Sequence, residues 1–126
     1  MSELEINQKQ INLLIGLYNK HQFSRALKLT SELIHKFPQS LTLLDIWSAV
    51  NKELGNIDKA KAGYKELIKR SPSDSLAYNN LALVVAIEGQ IDAALLNFRK
   101  SLILNPRFHT SYFNLANLFQ KSKIFV

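Results

Sequence analysis

The chain has 126 residues, no cysteine, 47 % hydrophobic residues and a formal net charge of +6. This composition is typical of one globular domain, and it excludes a disulfide framework, a thiolate metal site and an intrinsically disordered chain. The first twenty residues contain no basic start followed by an apolar run, and the longest apolar run, 81–87, is too short to span a bilayer. We therefore expect a cytoplasmic protein without membrane insertion.

Seven amphipathic helices are predicted along the chain, because apolar residues recur at three- and four-residue spacing. Pro38, Pro72 and Pro106 each mark the end of a helix, since proline lacks the backbone N–H and clashes with the preceding turn. Gly55 and Gly89 suit the left-handed residue that follows a helix. The predicted helices span about residues 7–20, 23–36, 41–54, 57–70, 75–88, 91–104 and 109–122.

The helices are arranged in a repeat, because the three prolines lie 34 residues apart and the residues between them recur in the same register. Equivalent positions hold a large apolar residue, a small residue or an alanine. The large column is Leu13, Trp47, Leu81 and Leu115, the small column includes Ser48, Ala82 and Ala116, and the alanine column is Ala26, Ala60 and Ala94. A period of this length is the signature of stacked helical hairpins, which usually function through a surface built from equivalent positions.

This pattern resembles that of the tetratricopeptide repeat (TPR) family, and the resemblance covers roughly residues 7 to 126. It implies an all-α fold, a right-handed superhelical solenoid of antiparallel helical hairpins with seven helices. The repeats would be 7–40, 41–74 and 75–108, followed by a partial repeat or capping helix at 109–126, all in a single domain over 1–126. It also implies a concave groove lined by the first helix of each hairpin.

The resemblance places two columns in this groove. They comprise Asn12, Ile46, Asn80 and Asn114 in one column and Ile15, Leu83 and Asn117 in its neighbour. A row of asparagines can bind the backbone amides of an extended peptide, and it resembles the asparagine ladder of the transferase that adds N-acetylglucosamine to serine and threonine. Ile46 interrupts this row. The alternative is that these asparagines serve only solubility or local hydrogen bonds.

One family function is disfavoured by the groove residues. TPR co-chaperones hold the acidic C-termini of heat-shock chaperones with cationic and asparagine side chains, because a carboxylate needs charge-assisted donors. The corresponding positions here are Ile11, Ile15, Ile46, Leu76 and Asn80, and none is cationic. The groove is expected to suit a segment with apolar side chains, and Asp45 is interpreted as a lone solvated acid.

No catalytic constellation is present in the sequence. His21, His35 and His109 lie in different repeats without metal-ligand spacing, and there is no phosphate-binding loop, nucleophile elbow or core-facing pair of carboxylates. We therefore predict a protein that is not an enzyme and has no cofactor or metal. Basic residues are spread over all repeats and interleaved with acids, which favours a solvated face over a nucleic-acid surface.

The C-terminal residues leave two possibilities open. Phe125 matches the column that opens the second helix of a hairpin, so the sequence is interrupted within a repeat. If this is the natural end, exposed apolar surface at Phe119, Ile124 and Phe125 predicts self-association. If it is a fragment, a downstream glycosyltransferase or sulfotransferase domain is allowed by the resemblance.

Three functions are therefore considered. The leading one is a non-catalytic scaffold that binds an extended or helical peptide segment of a partner protein in the concave groove. The first alternative is the N-terminal substrate-recruiting segment of a larger enzyme. The second alternative is a self-assembling module that associates through its C-terminal end.

Overall fold

The computed structural model describes residues 6–122, and in this range the chain is all-α, as predicted. The seven helices confirm the number and order expected from the repeat, and their bounds differ from the predicted ones by one or two residues at most. They are α1 (Gln8–Asn19), α2 (Phe23–Lys36), α3 (Leu41–Glu53), α4 (Ile57–Arg70), α5 (Ser75–Ile87), α6 (Ile91–Leu104) and α7 (His109–Ser122).

The chain divides into two compact units, Met1–Gly63 and Tyr64–Val126, with the boundary inside α4. The first unit contains α1, α2, α3 and the first half of α4. The second unit contains the rest of α4 together with α5, α6 and α7. That all of 1–126 forms a single domain stays a prediction.

Polar caps start the first helix of three hairpins. The side chain of Asn7 accepts a hydrogen bond from the backbone N–H of Gln10 at 2.9 Å, and Ser40 accepts one from Leu43 at 3.1 Å. Asp74 accepts hydrogen bonds from two backbone N–H groups at the start of α5. Each cap satisfies donors that the first turn of a helix leaves unpaired, which fixes where α1, α3 and α5 begin.

The turns between the two helices of each hairpin follow the predicted backbone. Gly55 and Gly89 have φ angles of 82° and 79°, and His21, which occupies the same column, has a φ of 59°. This left-handed conformation is unusual for a residue with a Cβ atom. The first hairpin therefore makes the same turn as the others without the glycine that normally permits it.

The core of the first unit is a cluster of three buried leucines, Leu14, Leu33 and Leu43. Half-buried apolar residues around it include Leu29 and Ile46. Leu13 belongs to the large apolar column but is 55 % exposed. It lines an open cavity between α1 and α2 instead of the core, so the repeat column does not predict its burial.

An interior glycine determines how closely α4 approaches α3 in the first unit. A Cβ atom on Gly63 would overlap the Oγ of Ser48 and would lie 3.2 Å from Cζ3 of Trp47. Ser48 is fully buried, and its hydroxyl donates to the carbonyl of Leu44 at 2.8 Å. The tryptophan that replaces leucine in this column is therefore accommodated by a glycine in the facing helix, a pairing that the sequence analysis did not single out.

Candidate functional site

An open cavity lies between α1 and α3 in the first unit, on the surface predicted to form the groove. Its volume is about 240 Å³. The side chains that line it come from both first helices: Ile15, Tyr18, Asp45, Ile46 and Ala49. The structure thus brings together two residues of the predicted site, Ile15 and Ile46, with three that the sequence analysis did not assign to it.

The two predicted residues contribute differently to this cavity. Ile15 is 45 % exposed and presents its side chain at the surface. Ile46 is half-buried and also packs against the leucine cluster of the core. Asn12 is exposed and is not part of the cavity lining; its Oδ1 accepts a hydrogen bond from Nε2 of Gln8 at 2.9 Å.

The polar wall of the cavity is acidic. The hydroxyl of Tyr18 donates to Oε1 of Glu53 at 3.3 Å. Burial raises the pKa of Tyr18 above its ordinary value, and the negative charges of Glu53 and Asp45 raise it further. Asp45 is half-buried in the cavity wall, so its interpretation as a solvated acid was wrong.

The spacing of the acids in the sequence is a signal that could have found this wall. Asp45, Ala49 and Glu53 are four residues apart, and such residues share one face of a helix. Tyr18 follows Ile15 by three residues on α1, which places the two on one face of that helix. Repeat columns compare one residue per hairpin, and for this reason they do not reveal a stripe within one helix.

In the second unit, the asparagine column is tied to a buried asparagine. Asn79 is 1 % exposed and its Oδ1 accepts hydrogen bonds from Ser111 Oγ at 2.8 Å and from Asn114 Nδ2 at 3.2 Å. Its own amide donates to Oδ1 of Asn80 at 3.4 Å. Asn80 and Asn114 therefore hold α5 and α7 together, while each keeps further donors or acceptors toward the surface.

This network extends into α6 through two buried serines. The Oγ of Ser101 donates to the carbonyl of Ser75 at 2.8 Å and lies 2.8 Å from the Oγ of Ser111. Two hydroxyl protons thus serve three short contacts, including the one from Ser111 to Asn79. The sequence analysis missed Asn79, Ser101 and Ser111, whose only signal is a polar residue at positions where other repeats have apolar ones.

The remaining predicted residues lie on the surface of the second unit or outside the described range. Leu83 is half-buried on α5, and Asn117 is exposed on α7. Phe119 is half-buried, whereas Tyr112 and Phe113 on the same helix are 50 % and 62 % exposed. Ile124 and Phe125, the other residues predicted to mediate self-association, lie outside the described residues.

Two further searches covered residues 6–122. In this range no three histidine, aspartate or glutamate side chains are grouped closely enough to hold a metal ion. No helix among the seven is long and apolar enough to cross a membrane.

Comparison with known proteins identifies the fold. No protein-family profile matches the chain, and no curated protein sequence is significantly similar to it. Solved structures do match. TTC0263, a thermophilic TPR protein of Thermus thermophilus, has a TM-score of 0.84 at 21 % identity over 92 % of this chain. This chain spans 66 % of the length of TTC0263.

Two other solved structures are informative. The second TPR domain of human RPAP3, solved in complex with an HSP70 peptide, has a TM-score of 0.77 at 16 % identity, over 86 % of this chain and 91 % of that one. A mutant O-GlcNAc transferase of Thermobaculum terrenum has a TM-score of 0.79 at 16 % identity, over 97 % of this chain and 25 % of that one. The chain therefore has the TPR fold, which confirms the predicted fold class.

Proposed function

We propose that this TPR-fold protein is a non-catalytic scaffold that binds an extended or helical peptide segment of a partner protein. The observation that carries the proposal is the open cavity between α1 and α3, which has apolar walls at Ile15 and Ile46. At about 240 Å³ it is smaller than the roughly 300–1,000 Å³ of small-molecule pockets. Its size suits individual side chains of a peptide rather than a cofactor. The predicted cytoplasmic location is part of this proposal.

The second unit offers another binding surface of the same kind. Asn80, Leu83, Asn114 and Asn117 belong to α5 and α7, the first helices of their hairpins. Asn117 is exposed, and Asn80 and Asn114 retain polar atoms that the Asn79 network does not use. These amides can exchange hydrogen bonds with the backbone of a peptide, while Leu83 adds apolar surface.

Similarity to peptide-binding proteins supports this proposal. The RPAP3 domain that shares the fold was solved with an HSP70 peptide bound. In the first unit here, the positions expected to hold an acidic tail are apolar, at Ile11, Ile15 and Ile46. We therefore propose that the partner segment differs in chemistry from an acidic chaperone tail.

An alternative proposal is that the chain recruits substrates for a larger enzyme. The observation that favours it is the match to the O-GlcNAc transferase, in which this chain corresponds to 25 % of the length. In that case the partner segment would be part of a substrate protein, bound by the same surfaces.

Self-association through the C-terminal region also remains a proposal. Tyr112 and Phe113 expose large apolar side chains on α7, and exposed apolar patches favour association. Sedimentation measured over a range of protein concentrations tests it, and a constant monomeric mass would contradict it.

A matched pair of variants tests the leading proposal. Peptides that bind the protein are selected from a random library, and their affinities are compared for Ile15→Asp and Leu13→Asp. The two side chains have similar exposure, 45 % and 55 %, on the same helix, but they line different cavities. We expect Ile15→Asp to weaken binding and Leu13→Asp to leave it unchanged. Equal effects of both variants, or none, would contradict the proposed site.

A further inference from the structure

The chemistry of the cavity in the first unit points to the kind of segment it binds. Asp45, Ala49 and Glu53 occupy positions four residues apart on one face of α3. The two carboxylates are separated by eight residues, which corresponds to about 12 Å along the helix. Ala49 lies midway, and its small side chain leaves the space between the acids open.

The space between the acids is apolar on the opposite side. Ile15 and Ile46 line the cavity together with Ala49. Tyr18 lies beside them and donates its hydroxyl to Glu53, which orients this carboxylate while leaving other lone pairs to accept. The result is an apolar hollow between two anionic groups.

No lysine or arginine is among the side chains that line this cavity. Lys52 precedes Glu53 in α3, but a neighbouring residue points to a different side of the helix. The net charge of +6 for the whole chain opposes a basic ligand only weakly. At an ionic strength of about 0.1 M, charges farther away than about 10 Å are largely screened, and the nearby carboxylates dominate the local field.

We propose that this cavity selects an extended segment with two basic residues four positions apart and an apolar residue midway between them. In an extended chain, alternate side chains point to the same side. Residues i, i+2 and i+4 then face the cavity together and span about 13 Å at roughly 3.3 Å per residue. This length matches the separation of the two acids. The inference rests on the proposed function and names its ligand class.

Three synthetic peptides provide the test, measured by fluorescence anisotropy at low salt. The first has the core Lys-Ala-Leu-Ala-Lys, the second replaces both lysines by glutamate, and the third replaces the leucine by serine. We expect the first to bind and the other two to bind much more weakly. Asp45→Asn and Glu53→Gln each keep the shape of the side chain while removing its charge, and each should weaken binding of the first peptide about fivefold.

Glu32→Gln is the matched control, because Glu32 is an exposed acid of α2 that lines a different cavity. It should leave the affinity unchanged, and circular dichroism verifies that each variant is folded. Equal binding of the lysine and glutamate peptides, or no effect of either neutral substitution, would overturn the inference. If the lysine peptide fails to bind while library-selected peptides bind and are sensitive to Ile15→Asp, the inference fails and the proposed function stands. If no peptide binds at this cavity, both fail.

Discussion

The substitution Gly63→Ala is expected to destabilise the protein, against the usual effect of this change in a helix. Gly63 lies inside α4, where alanine is ordinarily more favourable than glycine by about 1 kcal/mol. Here the added methyl group would overlap Ser48 Oγ and crowd Cζ3 of Trp47 at 3.2 Å. The clash and the helix propensity therefore predict opposite signs.

The structure determines which effect is larger. Ser48 is fully buried and bonded to the carbonyl of Leu44, so its hydroxyl cannot move away without losing this hydrogen bond, which is worth about 1 kcal/mol. Overpacking of a core contact costs a further 1–3 kcal/mol, roughly. Subtracting the gain in propensity leaves a net loss of about 1–3 kcal/mol in the free energy of unfolding.

Gly16→Ala is the matched control in the same unit. Gly16 also lies inside a helix, α1, but nothing is within 4 Å of an added Cβ atom. It should stabilise the protein by up to about 1 kcal/mol. Urea unfolding followed by circular dichroism measures both variants. If Gly63→Ala stabilises the protein as much as Gly16→Ala does, the close approach of α3 and α4 is wrong. Partial rescue by Ser48→Gly in the double variant would support it.

Three further changes test other parts of the structure. Asn79→Ala should cost about 2–3 kcal/mol in denaturant unfolding, since it leaves the buried Ser111 hydroxyl without its acceptor; the exposed control Asn117→Ala should change stability by less than about 0.5 kcal/mol. Gly89→Ala should cost about 1–2 kcal/mol in the same assay, because its φ of 79° strains a residue with a Cβ atom; no loss would contradict the left-handed turn. Tyr18 keeps its proton more tightly in the folded than in the unfolded chain, because burial and then Glu53 raise its pKa. Its contribution is therefore present below pH about 10 and is lost as the pH rises through the raised folded pKa. Unfolding measured from neutral to alkaline pH should show this loss for the wild type and a smaller one for Tyr18→Phe.

The sequence was sufficient for the fold because each hairpin repeats the same local chemistry. Prolines, turn glycines and apolar columns each have a local physical effect that holds wherever the residue occurs in the repeat. The helix bounds could therefore be predicted within a residue or two. His21 is an instructive case, because its backbone follows the column and not the residue type.

The candidate site was less predictable, because it depends on contacts between helices. The groove column placed Ile15 and Ile46 correctly beside each other only once α1 and α3 were packed together. The acid at Asp45 became part of a wall through its position next to Tyr18, which no repeat column contains. Similarly, Asn80 and Asn114 are connected through Asn79, whose burial depends on α7. Columns predict which face of a helix is used, but not the distances between faces.

Nuclear magnetic resonance mapping of a bound peptide tests the central claim most directly. A peptide selected from a random library is titrated into the isotope-labelled protein, and amide chemical-shift changes are assigned along the chain. The account predicts that the changes concentrate on α1 and α3 around Ile15, Ile46 and Ala49, with a second set on α5 and α7 if both units bind. Changes concentrated on α2 and α6 would contradict it.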